Sequence, residues 1–198
     1  MLSFGLSYDY RCPFAKNIHL HVTTALAGGA DFDVTFIPWT MSQGHRVPGA
    51  PDVWDDPGHD AALVALAASV SVHDQQPELF LAAHDALFRA RHERAVRLAS
   101  LDEIETVLAP LGVDMALVAA DVDSRRPHQV IGENFRMMER YEAFGVPTFV
   151  VDNDATFVRY MTAPNGDAAA SAAIIESLVT LMATQSDLNE FKHTRVPL

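Results

Sequence analysis

Tyr-Asp-Tyr-Arg-Cys-Pro-Phe-Ala, residues 8–15, is the stretch where a strand pattern gives way to a helix pattern. Before it, residues 3–10 alternate aromatic or aliphatic side chains with small or polar ones, which is the period of a β-strand. Pro13 suits the first turn of a helix, where its missing N–H has no partner to lose. The helix that follows keeps three apolar residues on one face: Ile18, Val22 and Leu26. The sequence therefore predicts a strand, a turn bearing Cys12, and a helix.

The remaining patterns place a block of helices between two strand-containing regions. A second strand is predicted over 33–39, a long turn-rich loop over 41–58, a β-hairpin over 147–161 and a last helix over 168–184. Five helices are predicted between them: 60–72, 77–97, 101–111, 114–124 and 128–144. We therefore expect an α/β fold with an all-helical insertion. Its predicted boundaries are 1–58 and 144–185 for a discontinuous α/β domain, 59–143 for the insertion, and 186–198 for a tail.

Composition restricts the classes of function. The 198 residues are 49% hydrophobic and 20% charged, which suits a folded core, and the net charge of −12 disfavours nucleic acid as a partner. No apolar run reaches the roughly 20 residues that span a bilayer, and the N-terminus lacks a secretory pattern. A single cysteine cannot form an internal disulfide. These features predict a cytoplasmic protein with no membrane segment.

Cys12 is the candidate reactive group. At a helix start, unpaired N–H groups and the positive end of the helix dipole favour an anion such as a thiolate. Arg11 and Lys16 add positive charge, whereas Asp9 opposes it. We expect a lowered pKa for Cys12. The alternative is that Cys12 is a small buried residue with a structural role only.

Other chemistries find less support. The nine histidines lack the spacing of a metal site, and neither a Gly-x-Ser-x-Gly elbow nor a glycine-rich phosphate loop is present. His45, in the long loop, is a candidate acid or base beside Cys12. Tyr10 and Trp39 are further candidate site residues, although burial in the core is the competing interpretation of Trp39. Phe14 is equally compatible with core packing and with shaping a pocket.

A second motif, Gly-Val-Pro-Thr-Phe-Val-Val at residues 145–151, changes the interpretation of the first. Together with residues 8–15 and the helical block between them, it resembles the DsbA-like thioredoxin-fold family over roughly residues 3–185. The resemblance implies that Cys12 is the nucleophile and that Pro147 is the cis-proline facing it. The backbone of Val146 would pair with a bound thiol compound or peptide like an added strand. Pro13, Phe14 and Thr148 complete the implied thiol-binding site.

The chain departs from that family at Ala15, where the second cysteine of Cys-x-x-Cys would stand. Without a resolving thiol, the resemblance implies a monothiol thiol–disulfide oxidoreductase or a small-thiol-dependent reductase. A second hypothesis is a transferase or isomerase similar to kappa-class glutathione transferases and 2-hydroxychromene-2-carboxylate isomerases. A third is a binding protein without catalytic activity.

The resemblance extends to actinobacterial DsbA-like proteins, including mycothiol-dependent reductases. It implies a low-molecular-weight thiol, mycothiol or glutathione, as co-substrate, with no tightly bound cofactor. The implied partners are a small thiol or disulfide, and a second copy of the chain in a homodimer.

Overall fold

The computed structural model describes residues 1–193 and centres on a four-stranded mixed sheet. The sheet order is β2-β1-β3-β4, with β1 and β2 parallel and the other neighbours antiparallel. The strands are β1 (Leu2–Tyr8), β2 (Phe32–Pro38), β3 (Thr148–Val151) and β4 (Asp154–Phe157). Because β3 pairs with β1, the segment just before β3 lies beside the end of β1. This adjacency brings the two sequence motifs together.

Two helices cover one face of the sheet. They are α1 (Pro13–Ala27) and α8 (Ala168–Thr184), whose apolar residues meet those of the strands in a buried cluster. The cluster consists of Phe4, Leu6, Ile18, Val22, Phe149, Val151, Ile175 and Val179. This layer fixes α1 against β1, so the turn between them has a defined geometry.

The insertion consists of five helices that share a second, larger core with the end of β1 and β2. They are α3 (Asp60–Gln75), α4 (Pro77–Glu93), α5 (Leu101–Leu108), α6 (Met115–Asp123) and α7 (Arg126–Glu139). Trp39 and Trp54 both pack on Phe135 of α7. Gly132 lies directly under Trp54, where a Cβ would come within 2.8 Å of the indole ring. The α/β class and the inserted helical block agree with the sequence prediction.

Several predicted boundaries are wrong for local reasons. The loop over 41–58 contains a short helix, α2 (Met41–Gly44), and runs into a 3-10 turn at Pro57–His59. Helix α4 ends before 97 because Ala95 and Leu98 have φ near +55°, and α7 ends before 144, ahead of Glu142 with φ 54°. The second strand of the hairpin is predicted over 156–161, whereas β4 begins two residues earlier, at Asp154, and ends at Phe157. In the tail predicted over 186–198, residues 186–193 form no helix or strand, and 194–198 lie outside the described residues.

Helix α5 begins with a side-chain cap at Ser100. The Ser100 hydroxyl accepts a hydrogen bond from the N–H of Glu103 at 3.3 Å, and the Glu103 carboxylate accepts one from the N–H of Ala99.

Over residues 1–193, no helix is long and apolar enough to cross a membrane.

Candidate active site

Cys12 is the N-cap residue of α1, and its sulfur faces the segment that precedes β3. Its backbone is extended (φ −90°, ψ 119°), and its N–H donates to the Asp9 carbonyl at 3.0 Å. The Cys12 Sγ donates a hydrogen bond to the carbonyl oxygen of Val146 at 3.2 Å. The Val146–Pro147 peptide bond is cis. Residues separated by 134 positions therefore form one site, with a thiol on one side and a proline segment on the other.

The prediction of a lowered Cys12 pKa is wrong. Burial raises the pKa of Cys12, which retains 6% of its exposed area, because a thiolate is poorly solvated there. The N–H groups of Phe14 and Ala15 act in the opposite direction, as expected at a helix start, while the negative charge of Asp9 adds to the increase in pKa. The resting side chain is therefore a neutral thiol that donates a hydrogen bond to the carbonyl oxygen of Val146.

Arg11 does not offset this effect because its charge is directed at Asp9. The guanidinium binds both carboxylate oxygens of the buried Asp9, Nε to Oδ1 at 3.0 Å and Nη2 to Oδ2 at 2.5 Å. The N–H of Met41 also donates to the carboxylate. The remaining Arg11 donors bind the hydroxyls of Thr40 and Ser42. These contacts hold the turn in place, but the positive charge of Arg11 is neutralised by Asp9.

Replacing Asp9 with asparagine is expected to lower the pKa of Cys12 and to make alkylation at pH 7 several-fold faster. The change removes the negative charge beside the thiol, keeps an amide oxygen as an acceptor for Arg11, and leaves the Arg11 charge unneutralised. The pH dependence of the rate of iodoacetamide alkylation measures the pKa of Cys12 in the wild-type protein and in the variant. Asp154→Asn, on the exposed hairpin, is the control for net charge. An unchanged or higher midpoint in Asp9→Asn would contradict this electrostatic account.

A buried chain of hydrogen bonds runs beneath the turn. The Tyr10 hydroxyl lies 2.7 Å from His84 Nδ1, His84 Nε2 lies 2.9 Å from His19 Nδ1, and His19 Nε2 lies 3.1 Å from the Ser7 carbonyl oxygen. A carbonyl only accepts, so His19 Nε2 carries a proton, and a neutral His19 then accepts at Nδ1. His84 Nε2 must therefore donate, and His84 Nδ1 accepts from Tyr10. Each donor in the chain has one acceptor.

Burial keeps both imidazoles neutral. It lowers the pKa of His19 to about 3, and it lowers the pKa of His84 well below its usual value, to which the neighbouring His19 also contributes. Both residues are fully buried. The proton order of the chain is therefore fixed over the neutral pH range.

This histidine chain connects the Cys12 turn and the cis-proline segment to the helical insertion. His92 of α4 donates from Nε2 to the Tyr10 carbonyl at 2.8 Å, so α4 holds Tyr10 at two points. Ser7 accepts the N–H of Thr148 on its hydroxyl at 2.9 Å, while its carbonyl accepts from His19. Tyr10 is thus fully buried and held by α4 at both its hydroxyl and its carbonyl.

The other predicted residues differ in their surroundings. Pro13 is exposed in the first turn of α1, Phe14 is half-buried, and the hydroxyl of the buried Thr148 donates to the Gly145 carbonyl at 2.7 Å. Trp39 is buried and stacks on Phe135, which fits the packing interpretation.

His45 is exposed at the end of α2, and none of the hydrogen bonds within residues 1–193 joins it to Cys12. Within the same part of the chain, no cluster of three or more His, Cys, Asp or Glu side chains could hold a metal ion.

A mixed sheet with a thiol at the start of its first helix, facing a cis-proline segment, defines a thioredoxin-like protein. The chain belongs to the DSBA-like thioredoxin domain family, whose model matches residues 6–166. A search of curated protein sequences finds no match.

Solved structures share the fold at low identity. The cytosolic disulfide reductase DsbM from Pseudomonas aeruginosa, in a structure with GSH, is 18% identical, with a TM-score of 0.63 over 91% of this chain and 100% of that one. The oxidoreductase DsbA from Xylella fastidiosa is 20% identical, with a TM-score of 0.57 over 91% and 86%. MdbA, a thiol-disulfide oxidoreductase from Actinomyces oris, is 17% identical, with a TM-score of 0.60 over 90% and 78%.

Proposed function

We propose that the protein is a monothiol thiol–disulfide oxidoreductase that uses Cys12 as its nucleophile and a small external thiol to complete its cycle. One observation carries this proposal. The only cysteine of the chain lies at the N-terminus of α1, with its sulfur 3.2 Å from the Val146 carbonyl oxygen, and alanine occupies position 15. The site therefore has the attacking thiol and the strand that would hold a substrate, but no resolving thiol.

The reaction is a pair of thiol–disulfide exchanges. The Cys12 thiolate attacks one sulfur of a disulfide, a new S–S bond forms to Cys12, and the second sulfur leaves as a thiolate with the electron pair. An external thiolate then attacks the mixed disulfide and releases Cys12 as a thiolate. The retained half of the substrate leaves as a disulfide with the external thiol, and a second external thiol converts that disulfide into the reduced substrate and a disulfide of two external thiols. Two external thiols are thereby oxidised for each disulfide that is reduced. During both steps the N–H groups of Phe14 and Ala15 stabilise the negative sulfur of Cys12.

Substrate binding would itself activate the thiol. In the free protein the Val146 carbonyl accepts a hydrogen bond from the Cys12 thiol. An extended substrate that pairs with Val146 would donate an N–H to this same carbonyl, as an added strand does. The substrate N–H would compete with the thiol for this carbonyl and weaken the hydrogen bond that favours the protonated form, while the thiolate would keep its two N–H donors. Binding therefore favours the reactive form. This coupling explains how a cysteine with a raised pKa can serve as a nucleophile.

The external thiol is a low-molecular-weight compound, mycothiol or glutathione, and the compartment is the reducing cytoplasm. Support comes from Ala15, which leaves Cys12 dependent on a second thiol, and from the likeness to DsbM, which is described as a cytosolic disulfide reductase and occurs in a structure with GSH. The partner is then a small thiol or disulfide, and no tightly bound cofactor is needed.

The raised pKa of Cys12 favours a second candidate function, in which a protonated Cys12 orients a bound thiol toward an electrophile. Such a transferase would form a conjugate without any mixed disulfide at Cys12. A binding protein without catalysis would form neither product.

Mass spectrometry of the intact protein after treatment with bis(2-hydroxyethyl) disulfide tests the proposal. We expect one mixed disulfide at Cys12, its removal by added glutathione, and no adduct in Cys12→Ser, whose unchanged circular dichroism shows that the variant is folded. Failure of the wild-type protein to form this adduct at any pH up to 9.5 would exclude the monothiol mechanism.

A further inference from the structure

The segment that follows β4 passes along the rim of the candidate active site. Three hydrogen bonds fix its backbone: Val158 N–H to the Pro147 carbonyl at 3.1 Å, Asn17 Nδ2 to the Tyr160 carbonyl at 2.9 Å, and His21 Nε2 to the Thr162 carbonyl at 3.2 Å. Asn17 and His21 belong to α1 and are buried. The backbone on either side of Arg159 is therefore anchored to the cis-proline segment and to the helix that begins at Cys12.

Arg159 extends from this anchored segment over Phe14. Its guanidinium carbon lies 5.5 Å from the centre of the Phe14 ring, within the range of a cation–π contact. Phe14 is two residues from Cys12, so the cation sits on the rim of the thiol site. Arg159 is exposed, and no Asp or Glu among residues 1–193 forms an ion pair with it. Glu190, whose charge interacts with Arg159, pairs with Lys192 at 2.6 Å.

Lys16 provides a second cation on the other side of α1. Residues two apart on a helix differ by about 200° in direction, so Lys16 points away from the Phe14 side. It lies near enough to His92 of α4 for its charge to contribute to the lowered pKa of that histidine. No ion pair joins Lys16 to an acidic side chain within the described part of the chain.

Most arginines among residues 1–193 are paired with a carboxylate, in a chain whose net charge is −12. The paired ones are Arg11, Arg46, Arg89, Arg97, Arg125, Arg126 and Arg136. Arg159 belongs to the unpaired minority of the described residues, with Arg91, Arg94 and Arg140, and within this minority it is the one whose guanidinium lies over an aromatic ring next to Cys12. Arg159 and Lys16 thus leave unneutralised positive charge on both sides of Cys12.

We propose that Arg159, seated on Phe14, together with Lys16, binds carboxylate groups of the small thiol or disulfide that reacts at Cys12. The proposal rests on the proposed thiol exchange and specifies its substrate class. A guanidinium recognises a carboxylate through two parallel hydrogen bonds, and the apolar ring beneath it limits competing water. Carboxylate-bearing peptide thiols such as glutathione fit this rim, whereas mycothiol, which has no free carboxylate, would leave both cations unused.

Three small symmetrical disulfides that differ in charge test the proposal: the dianion 3,3′-dithiodipropionate, the neutral bis(2-hydroxyethyl) disulfide and the dication cystamine. The measured quantity is the second-order rate constant for mixed disulfide formation at Cys12, divided by that of the neutral compound. This ratio cancels any general effect on the reactivity of the thiol. We expect the wild-type protein to react fastest with the dianion and slowest with cystamine.

In Arg159→Gln we expect the relative rate with the dianion to fall about fivefold and the relative rate with cystamine to rise, since an exposed ion pair has an effect of this order. Arg159→Lys should retain only part of the preference, because lysine keeps the charge and loses the paired hydrogen bonds. Lys16→Gln should reduce the preference further when combined with Arg159→Gln. Arg94→Gln is the control for net charge: Arg94 is exposed, follows the C-terminal end of α4, and its guanidinium turns back along the helix to the Ala86 carbonyl. It should leave all ratios unchanged.

Equal relative rates in the wild-type protein and Arg159→Gln, with the neutral disulfide still reacting, would overturn the carboxylate proposal and leave the proposed function intact. A wild-type protein that forms no adduct with any of the three disulfides would overturn the proposed function itself. A loss of the preference in Arg94→Gln as large as that in Arg159→Gln would show that net charge, and not the Phe14-seated cation, sets the selectivity.

Discussion

A protein carrying Ala15→Cys is expected to release its own mixed disulfide without any added thiol. Cys12 caps α1 and residue 15 is three positions later, so the two side chains lie on the same side of the first turn. The Ala15 N–H already points toward the Cys12 sulfur. Because an intramolecular thiol acts at a high effective concentration, we expect release at least about a hundredfold faster than with 1 mM external thiol. The protein would change from a monothiol to a dithiol mechanism.

The lifetime of the adduct formed with bis(2-hydroxyethyl) disulfide measures this effect. In the wild-type protein the adduct should persist until a thiol is added, and in Ala15→Cys it should be replaced by an internal disulfide. Ala15 is fully buried, so Ala15→Ser, which adds an atom of similar size, controls for crowding. An equally long-lived adduct in Ala15→Cys would mean that the missing cysteine is not what limits the reaction.

The sequence predicts the scaffold of this site well because the relevant signals are local. Alternation over residues 3–10, Pro13 in the first helical turn and the hairpin after residue 145 each reflect contacts within a few residues. Helix α8 begins and ends where its pattern predicts, at Ala168–Thr184, since an Asp167 side chain caps its N-terminus. The approach of Cys12 to Val146 follows once β1 and β3 are placed side by side.

The electrostatics of the site could not be predicted in this way. From the sequence, Arg11 counts as a positive charge near the thiol, but the folded turn directs it onto Asp9. The sign of the Cys12 pKa shift depends on how deeply the sulfur is buried, which is set by packing between the sheet and the insertion. A count of neighbouring charges therefore gave the wrong direction.

The sequence pattern does not by itself predict the histidine chain, for a related reason. His19 and His84 are 65 residues apart, and each alone has the pattern of an ordinary histidine on a helix. The available signal is the spacing of His84, Phe88 and His92, which recurs every four residues and so places two imidazoles on one face of α4. That face packs against β1 and α1, where a polar side chain must find a partner.

Acid is expected to destabilise the protein because His19 and His84 of the histidine chain are buried in their neutral form. In the unfolded state His19 and His84 titrate near pH 6.5, while in the folded state burial holds their pKa values far lower. Between these limits the unfolded state binds more protons than the folded state, so stability falls as pH falls. The stabilisation is fully present above pH 6.5 and, for His19, is lost progressively toward about pH 3.

For His19 the size of the effect between pH 7 and pH 5 follows from the unfolded-state pKa alone, because a pKa of about 3 leaves this imidazole unprotonated in the folded state in this range. His19 then removes about 2 kcal/mol from the free energy of unfolding, and the lowered pKa of His84 adds a loss in the same direction. Because single domains are typically stable by about 5–15 kcal/mol, this is a large fraction of the total.

Urea unfolding of wild-type protein and His84→Gln at pH 7 and pH 5 separates this chain from general acid effects. Glutamine offers Tyr10 an acceptor and His19 a donor but does not titrate, so the variant should lose less free energy of unfolding than the wild-type protein over this interval. His45→Gln, on the exposed turn after α2, controls for the loss of a histidine as such. If His84→Gln were as sensitive to acid as the wild-type protein, His84 would have to be protonated in the folded state, and the proton order assigned from Ser7 to Tyr10 would be wrong.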